Sequence, residues 1–330
     1  MRVASVAAGS AVALVGLAVA CTRWPVLVWA VTLAAFGVPH AIVELRWVGC
    51  RYASSWARQR TAVALLAVVG LLRLFALQFV WPANWLAAAE LTIGMLLVVA
   101  VLWRDAGVGR VRTGVGAAVF ALLGWGLALA PIDTLLLLAV VHNAVPIALL
   151  ADRLRDPDLS TNQRRCWGAA VAGGFTILPL WLVTGGAAQW CGLVGPNTTA
   201  RDVELAALLE LTPVDGLMAF VPSWFPPTRA LDLLRTAAFL QCLHYVLVLL
   251  VLPLLGAAPR GLASARVRGP SELPVQLLVA GLAILFCAAF LSDFRDTRAT
   301  YGTLAAVHVW AELPAVLLAC TPRHLLTGTS

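Results

Sequence analysis

Long apolar runs, separated by short arginine-rich segments, are the feature that most constrains this chain. A helix needs about 20 apolar residues to cross the hydrocarbon core of a bilayer, and ten runs come close to that length. They cover residues 3–21, 25–45, 61–81, 84–103, 114–130, 132–151, 168–189, 230–256, 273–292 and 300–320. The sequence therefore predicts an all-α, polytopic integral-membrane bundle of ten helices, forming a single domain over residues 1–330.

The composition agrees with a membrane protein. Hydrophobic residues make up 61% of the chain and charged residues only 12%, whereas soluble domains average about 45–50% and 25%. Seven cysteines are scattered without a CxxC pair, which predicts neither a disulfide framework nor a zinc ribbon. Residues 1–21 resemble either a cleaved signal peptide or a first membrane helix, and the apolar run that follows almost at once favours the helix.

The arginines predict the topology. Every basic residue is an arginine, and because the arginines lie mainly between apolar runs they indicate orientation rather than nucleic-acid binding. With the N-terminus inside, sixteen arginines fall in inner segments and five in outer ones. This bias predicts ten spans with both termini cytoplasmic, in the inner membrane of a bacterium. The long outer segment 190–228 is predicted to hold an interfacial helix, or a lid over a cavity.

Four histidines lie inside the predicted helices, where ionisable groups are costly and usually functional. They are His40, His142, His244 and His308, in helices 2, 6, 8 and 10, which all run from outside to inside. At 1.5 Å rise per residue, their distances from the outer ends place them in a layer on the order of 10 Å thick. Four parallel helices can therefore bring the imidazoles together. The fifth, His324, is expected to be solvated.

Polar side chains accompany these histidines. Helix 2 reads HAIVEL and helix 10 reads HVWAEL, so Glu44 and Glu312 each lie four residues after a histidine and on its face of the helix. Three further residues adjoin the other histidines and are expected to position oxygen or substrate: Gln241, Tyr245 and Asn143. Neutral imidazole is the commonest metal ligand, and carboxylates either bind the metal or orient the rings. The pattern predicts a site for one or two metal ions, although a single buried histidine is more often a packed core residue.

Two further charges, Arg73 and Glu90, lie at similar distances from the turn between helices 3 and 4. An ion pair within this helical hairpin is the favoured interpretation, and the alternative is that Arg73 anchors the polar head group of a substrate. Trp310 lies in the middle of helix 10. It could line an apolar substrate pocket or pack in the core.

Several enzyme classes lack support. The sequence has no Walker loop, GxSxG, GxGxxG, HExxH or c-type haem motif. A metal at this depth meets lipid-soluble molecules, and redox-active iron with open coordination positions can activate dioxygen for the oxidation of a hydrocarbon chain or polyene.

The stretch GVPHAIVEL, residues 37–45, resembles the proline–histidine motif of the Brp/Blh family of bacterial integral-membrane carotenoid dioxygenases. Ala41 stands where that family usually has glycine, and Glu44 where it usually has aspartate. The resemblance implies an all-helical fold, non-haem iron, a carotenoid substrate cleaved to retinal, and His40 as an iron ligand.

The favoured function is an intramembrane non-haem metal oxygenase, desaturase or hydroxylase that acts with dioxygen on a lipid, isoprenoid or carotenoid. Iron is the expected metal, with zinc or copper as alternatives. A transporter or a proton- or metal-coupled carrier that uses the same buried His/Glu set is the first alternative. A membrane assembly factor is the second.

Overall fold

A computed structural model describes residues 2–52, 60–79, 82–104, 110–157, 159–193, 226, 229–255 and 272–320. About 92% of these residues are helical, and no strand occurs among them. The long helices in this part of the chain are α1 (Arg2–Arg23), α2 (Pro25–Arg51), α3 (Arg60–Gln78), α4 (Ala83–Arg104), α5 (Arg110–Leu129), α6 (Pro131–Arg153), α7 (Thr161–Val183), α8 (Ala230–Leu255), α9 (Glu272–Ser292) and α10 (Phe294–Ala319). A short helix, Gly186–Trp190, follows α7.

Within the described residues, eight helices (α2 to α8, and α10) are long and apolar enough to cross a membrane. The other two, α1 and α9, contain the shorter apolar stretches Val12–Arg23 and Gln276–Ser292. The outside of the bundle is also apolar: Leu254 and Leu291 are 80% and 84% exposed. The chain is therefore a helical membrane protein, as the apolar runs predicted.

Four helix ends differ from the predicted ranges by six or seven residues. Helix α2 ends at Arg51 rather than at 45, α7 ends at Val183 rather than at 189, and two helices begin earlier than predicted. Helix α7 begins at Thr161 rather than at 168, and α10 begins at Phe294 rather than at 300. Both starts are polar and capped by side chains: the Ser160 side chain accepts a hydrogen bond from the backbone of Gln163, and the Asp293 side chain accepts one from Asp296. A search for apolar runs passes over such polar first turns. The predicted outer segment 190–228 lies almost entirely outside the described residues, and so does His324.

The four helices that carry the intramembrane histidines meet in the middle of the bundle. Helix α2 packs against α8 and α10, and the second half of α6 packs against α10. Around this group, α3 packs on α10 with α4 and α5 beside it, α1 and α7 pack on α8, and α9 packs on α2. The histidines are thus carried by helices that other helices surround.

Each of the four histidine-bearing helices has a proline or an irregular turn near its histidine. Helices α2 and α10 contain a proline, which removes a backbone donor and bends a helix. Helix α6 contains a tight 3₁₀ turn, and α8 contains a wide π turn, a feature that is frequent at functional sites. The positions are Pro39 in α2, His142–Ala144 in α6, Leu247–Val251 in α8 and Pro314 in α10.

A buried arginine–aspartate network joins α2 to α6 beyond the histidines. Arg51, the last residue of α2, donates from Nε to Asp152 Oδ2 at 2.8 Å and from Nη1 to Asp156 Oδ2 at 2.7 Å. The Tyr52 hydroxyl also donates to Asp152 Oδ2, at 3.0 Å. Arg153 completes this part of the network by donating to Asp156 Oδ2 at 2.8 Å.

The same network reaches the C-terminal ends of α8 and α10. Arg153 donates from Nε and Nη2 to the carbonyl oxygen of Leu255, at 2.9 and 2.6 Å. Arg155 donates to the carbonyl oxygen of Ala319 at 3.2 Å. Arginine is well placed there, because the last carbonyl groups of a helix have no partner within the helix. The ends of all four histidine-bearing helices are thereby tied together.

Candidate metal centre

Three histidines from three helices face one another in the centre of the bundle. The ring centroid of His40 lies 5.0 Å from that of His244 and 5.0 Å from that of His308, and the latter two are 6.2 Å apart. All three residues are only 0–1% exposed. One ring nitrogen of each lies within 4.8 Å of those of the other two, so a single ion can contact all three.

Two carboxylates approach the same point. Glu44 Oε2 lies 3.2 Å from His244 Nε2 and 3.6 Å from His308 Nε2. Glu312 Oε1 lies 3.2 Å from His308 Nε2, one turn earlier on the same helix. One donor atom from each of these four residues lies within 4.8 Å of the others. Two possible donor sets therefore share His244 and His308: one adds His40, and the other adds both glutamates.

The orientation of His40 is fixed by its own helix. Its Nδ1 lies 2.9 Å from the carbonyl oxygen of Phe36, and because a carbonyl can only accept, the proton belongs on Nδ1. The Nε2 lone pair is then free for a metal. The ring of Tyr245 packs 4.3 Å from that of His40, centroid to centroid. Tyr245 in turn hydrogen-bonds to the Tyr301 side chain.

Nine buried polar atoms of these five residues have no hydrogen-bond partner among the described residues. They are His40 Nε2, both ring nitrogens of His244 and of His308, and both carboxylate oxygens of Glu44 and of Glu312. The 3.2 Å His–Glu contacts are short enough for hydrogen bonds but are not aligned for them. A buried polar group without a partner costs about 1–3 kcal/mol. A metal ion would use these lone pairs, so the donor set fits a transition metal held by nitrogen and oxygen ligands.

His142 lies beside this cluster but outside both donor sets. Its ring centroid is 5.3 Å from that of His244. Its Nδ1 is buried and has no partner among the described residues, yet the residue as a whole is partly exposed. The structure thus brings all four predicted histidines together, three of them in the centre and one at its edge.

The two predicted amide residues bind backbone and hydroxyl groups rather than the centre. Asn143 Nδ2 donates to the carbonyl oxygens of Ala139 and Val140 in its own helix, at 3.2 and 3.1 Å. Gln241 Nε2 donates to Thr32 Oγ1 at 2.9 Å and so links α8 to α2. Asn143 therefore supports the 3₁₀ turn of α6, and Gln241 holds α8 against α2.

The ion pair predicted between α3 and α4 is present, and it also contacts α10. Arg73 Nη2 lies 2.6 Å from Glu90 Oε2. Trp310 Nε1 donates to Glu90 Oε1 at 2.8 Å, which joins the pair to the helix that carries His308. A Cβ atom at Gly94 would lie 2.2 Å from the Trp310 ring, so only glycine leaves room for the indole there.

Two features of the site were not predicted. Tyr301 lies seven residues before His308, hence on the same face of α10, and this spacing would have identified it. The Arg51–Asp152 contact was harder to predict from the sequence. The arginines of ADRLRD, residues 151–156, are already explained by the positive-inside rule, so they did not indicate an ion pair.

No protein-family model, curated protein sequence or solved structure matches the chain.

Proposed function

We propose that the chain is an intramembrane non-haem metal enzyme, an oxygenase, desaturase or hydroxylase, that oxidises a lipid, isoprenoid or carotenoid with dioxygen. The observation that supports this most is the group of nine buried nitrogen and oxygen atoms without hydrogen-bond partners. Such a group is costly in the centre of a membrane bundle. A bound cation would satisfy it, whereas a proton shared by Glu44 and Glu312 would satisfy only part of it. Iron is the metal we propose, and the same donors also suit zinc or copper.

His40, His244 and His308 would bind the metal, and Glu44 and Glu312 would bind it or orient the rings. Bound iron with an open coordination position supplies the activation of dioxygen. Burial of all five residues separates the centre from bulk water, which favours a substrate that dissolves in lipid.

The neighbouring polar residues would act on the substrate and on the rings. Tyr245 packs on His40 and restricts where a substrate carbon can lie. Trp310, with the Arg73–Glu90 pair behind it, would face the polar end of the substrate. Gln241 and Asn143 would hold the helices in register.

We also propose that all ten long helices cross the membrane, with both termini in the cytoplasm of a bacterial cell. Helices α1 and α9 are 22 and 21 residues long, which is sufficient for a span. The sixteen-to-five distribution of arginines supports this orientation.

The decisive experiment is a measurement of transition metals in protein purified in detergent, with His40→Ala and His308→Ala variants. Glu90→Gln, which changes a buried carboxylate outside the donor sets, is the matched control. We expect about one or two iron ions per chain, lost in both histidine variants and retained in the control. Absence of metal after anaerobic purification and iron loading, with unchanged thermal stability of the histidine variants, would contradict the proposal.

A transporter is the alternative that one observation favours. Irregular turns interrupt α6, α7 and α8, and broken helices line the substrate sites of many transporters. Purified protein in vesicles would then move Fe²⁺, Mn²⁺ or protons, detected with an entrapped dye, without retaining a stoichiometric metal. Retained metal without such movement supports the enzyme.

A further inference from the structure

His142 is the one histidine of the cluster that also reaches the outside of the described bundle. The other three are 0–1% exposed, whereas His142 is partly exposed. Its ring contacts that of His244, and its buried Nδ1 has no partner among the described residues. One residue therefore contacts a histidine of the proposed metal centre and still has an accessible part of its surface.

The first half of α6 leads to this residue along a side that is exposed at Ile132 and Ala139. Residues Pro131–Val141 include none that is buried. This half packs against α4 and α5, and the turn at His142 packs against α8. Ile132, Leu135 and Ala139 precede His142 at helical spacing and so lie on its face. Ile132 and Ala139 are exposed, whereas Leu135 is partly buried and packs against the core cluster that includes Leu91 and Leu97.

We infer that this side of α6, formed by Ile132, Ala139 and His142 beside the packed Leu135, is where a hydrocarbon chain of the bilayer enters the metal centre. The face lies on a membrane helix, and apart from His142 it is apolar, so a lipid chain is the occupant that matches it. The inference rests on the proposed metal centre and identifies the source of the substrate as the bilayer. His142 then contacts the substrate rather than the metal.

Photolabelling tests this entry route without requiring a metal. The protein is placed in vesicles of phosphatidylcholine and phosphatidylglycerol with a fatty acid that carries a diazirine in its chain, and adducts are located by mass spectrometry. We expect an adduct on His142. Ala139→Trp, one turn away on the same face, should abolish it. Leu137→Trp is the matched control, because Leu137 is exposed on another face of α6 and should leave the His142 adduct unchanged.

Two results would overturn the inference: labelling of Leu137 and Val141 without His142, or a His142 adduct that survives Ala139→Trp. Metal content is measured on the same samples. Bound metal without labelling of His142 would refute the entry route and leave the proposed function standing. Labelling of His142 in protein that cannot bind metal would support the lipid face and contradict the metal centre.

Discussion

The hydrogen bond from His40 Nδ1 to the carbonyl oxygen of Phe36 determines which nitrogen faces the centre. Because the acceptor belongs to the backbone one turn earlier, no neighbouring helix is needed to orient this ring. His244 and His308 have no such bond among the described residues. The carboxylates of Glu44 and Glu312 are the polar groups that lie 3.2 Å from their Nε2 atoms, so we expect substitutions of the glutamates to change the affinity for the proposed metal.

Glu44→Gln keeps the volume of the side chain and removes its charge. We expect metal affinity to fall by about 10–100-fold, the usual effect of losing a residue that orients or assists a metal ligand. Competition with a chelator of known affinity measures it, and Glu90→Gln is the control. Equal affinities in the two variants would show that Glu44 does not act on the metal.

His142→Ala should retain the metal that His244→Ala loses, because His142 lies outside both donor sets. Metal content by mass spectrometry of the purified variants decides this. Loss of metal in His142→Ala would instead indicate that His142 is a metal ligand like His40, His244 and His308, and would contradict its place outside the donor sets.

Gly94→Ala should destabilise the protein by about 1–3 kcal/mol, the usual cost of overpacking. The new methyl group would overlap the Trp310 ring and displace its hydrogen bond to Glu90. Gly49→Ala is the control, because a Cβ atom there meets no atom within 4 Å. Thermal unfolding followed by tryptophan fluorescence compares the two, and equal melting temperatures would contradict the prediction.

At the scale of the helix, the sequence predicts which side chains lie at the same level of the bundle, but it does not predict which helices are neighbours. The apolar runs located the membrane helices, and counting residues placed four histidines in one layer, as the structure has them. The same reasoning put Glu44 on the face of His40, whereas in the structure its carboxylate contacts His244 and His308. Spacing within a helix defines a face, but the helix that meets that face depends on packing between distant segments.

The arginine–aspartate network shows the same limit. Arg51 and Asp152 are far apart in the sequence, and their contact exists because α2 and α6 end at the same level in neighbouring positions. No local pattern contains that information. The polar first turns of α7 and α10 were missed for the opposite reason. Their capping residues form a local sequence pattern, but this pattern lies outside the apolar runs that were used to locate the helices.

Asp152→Asn should destabilise the protein by about 3–5 kcal/mol, because removing one partner of a buried ion pair leaves Arg51 without full compensation. Metal content should fall as well, since the ends of α2 and α6 are no longer held together. Asp293→Asn is the control: asparagine caps a helix as well as aspartate does, so α10 should be unaffected. Unchanged stability in Asp152→Asn would show that the network does not hold the four helices.

For the whole molecule, the proposed topology places Cys50 and Cys191 on opposite sides of the membrane. Cys50 is exposed at the end of α2, and Cys191 is partly exposed after the short helix Gly186–Trp190. In variants that keep one cysteine each, a membrane-impermeant thiol reagent should label Cys191 in intact spheroplasts and Cys50 only after permeabilisation. Labelling of both from the same side would contradict the proposed orientation.

The donor residues range from His40 to Glu312, and their helices are joined at the network of Arg51, Asp152 and Arg153. A ribosome adds about 5–20 residues per second, so α2 enters the membrane roughly 10–60 s before α10 has been made. During that interval Glu44 has neither His244 nor His308 beside it. We therefore expect the proposed metal to be inserted late in biogenesis, from a supply that can reach a finished bundle rather than a nascent chain.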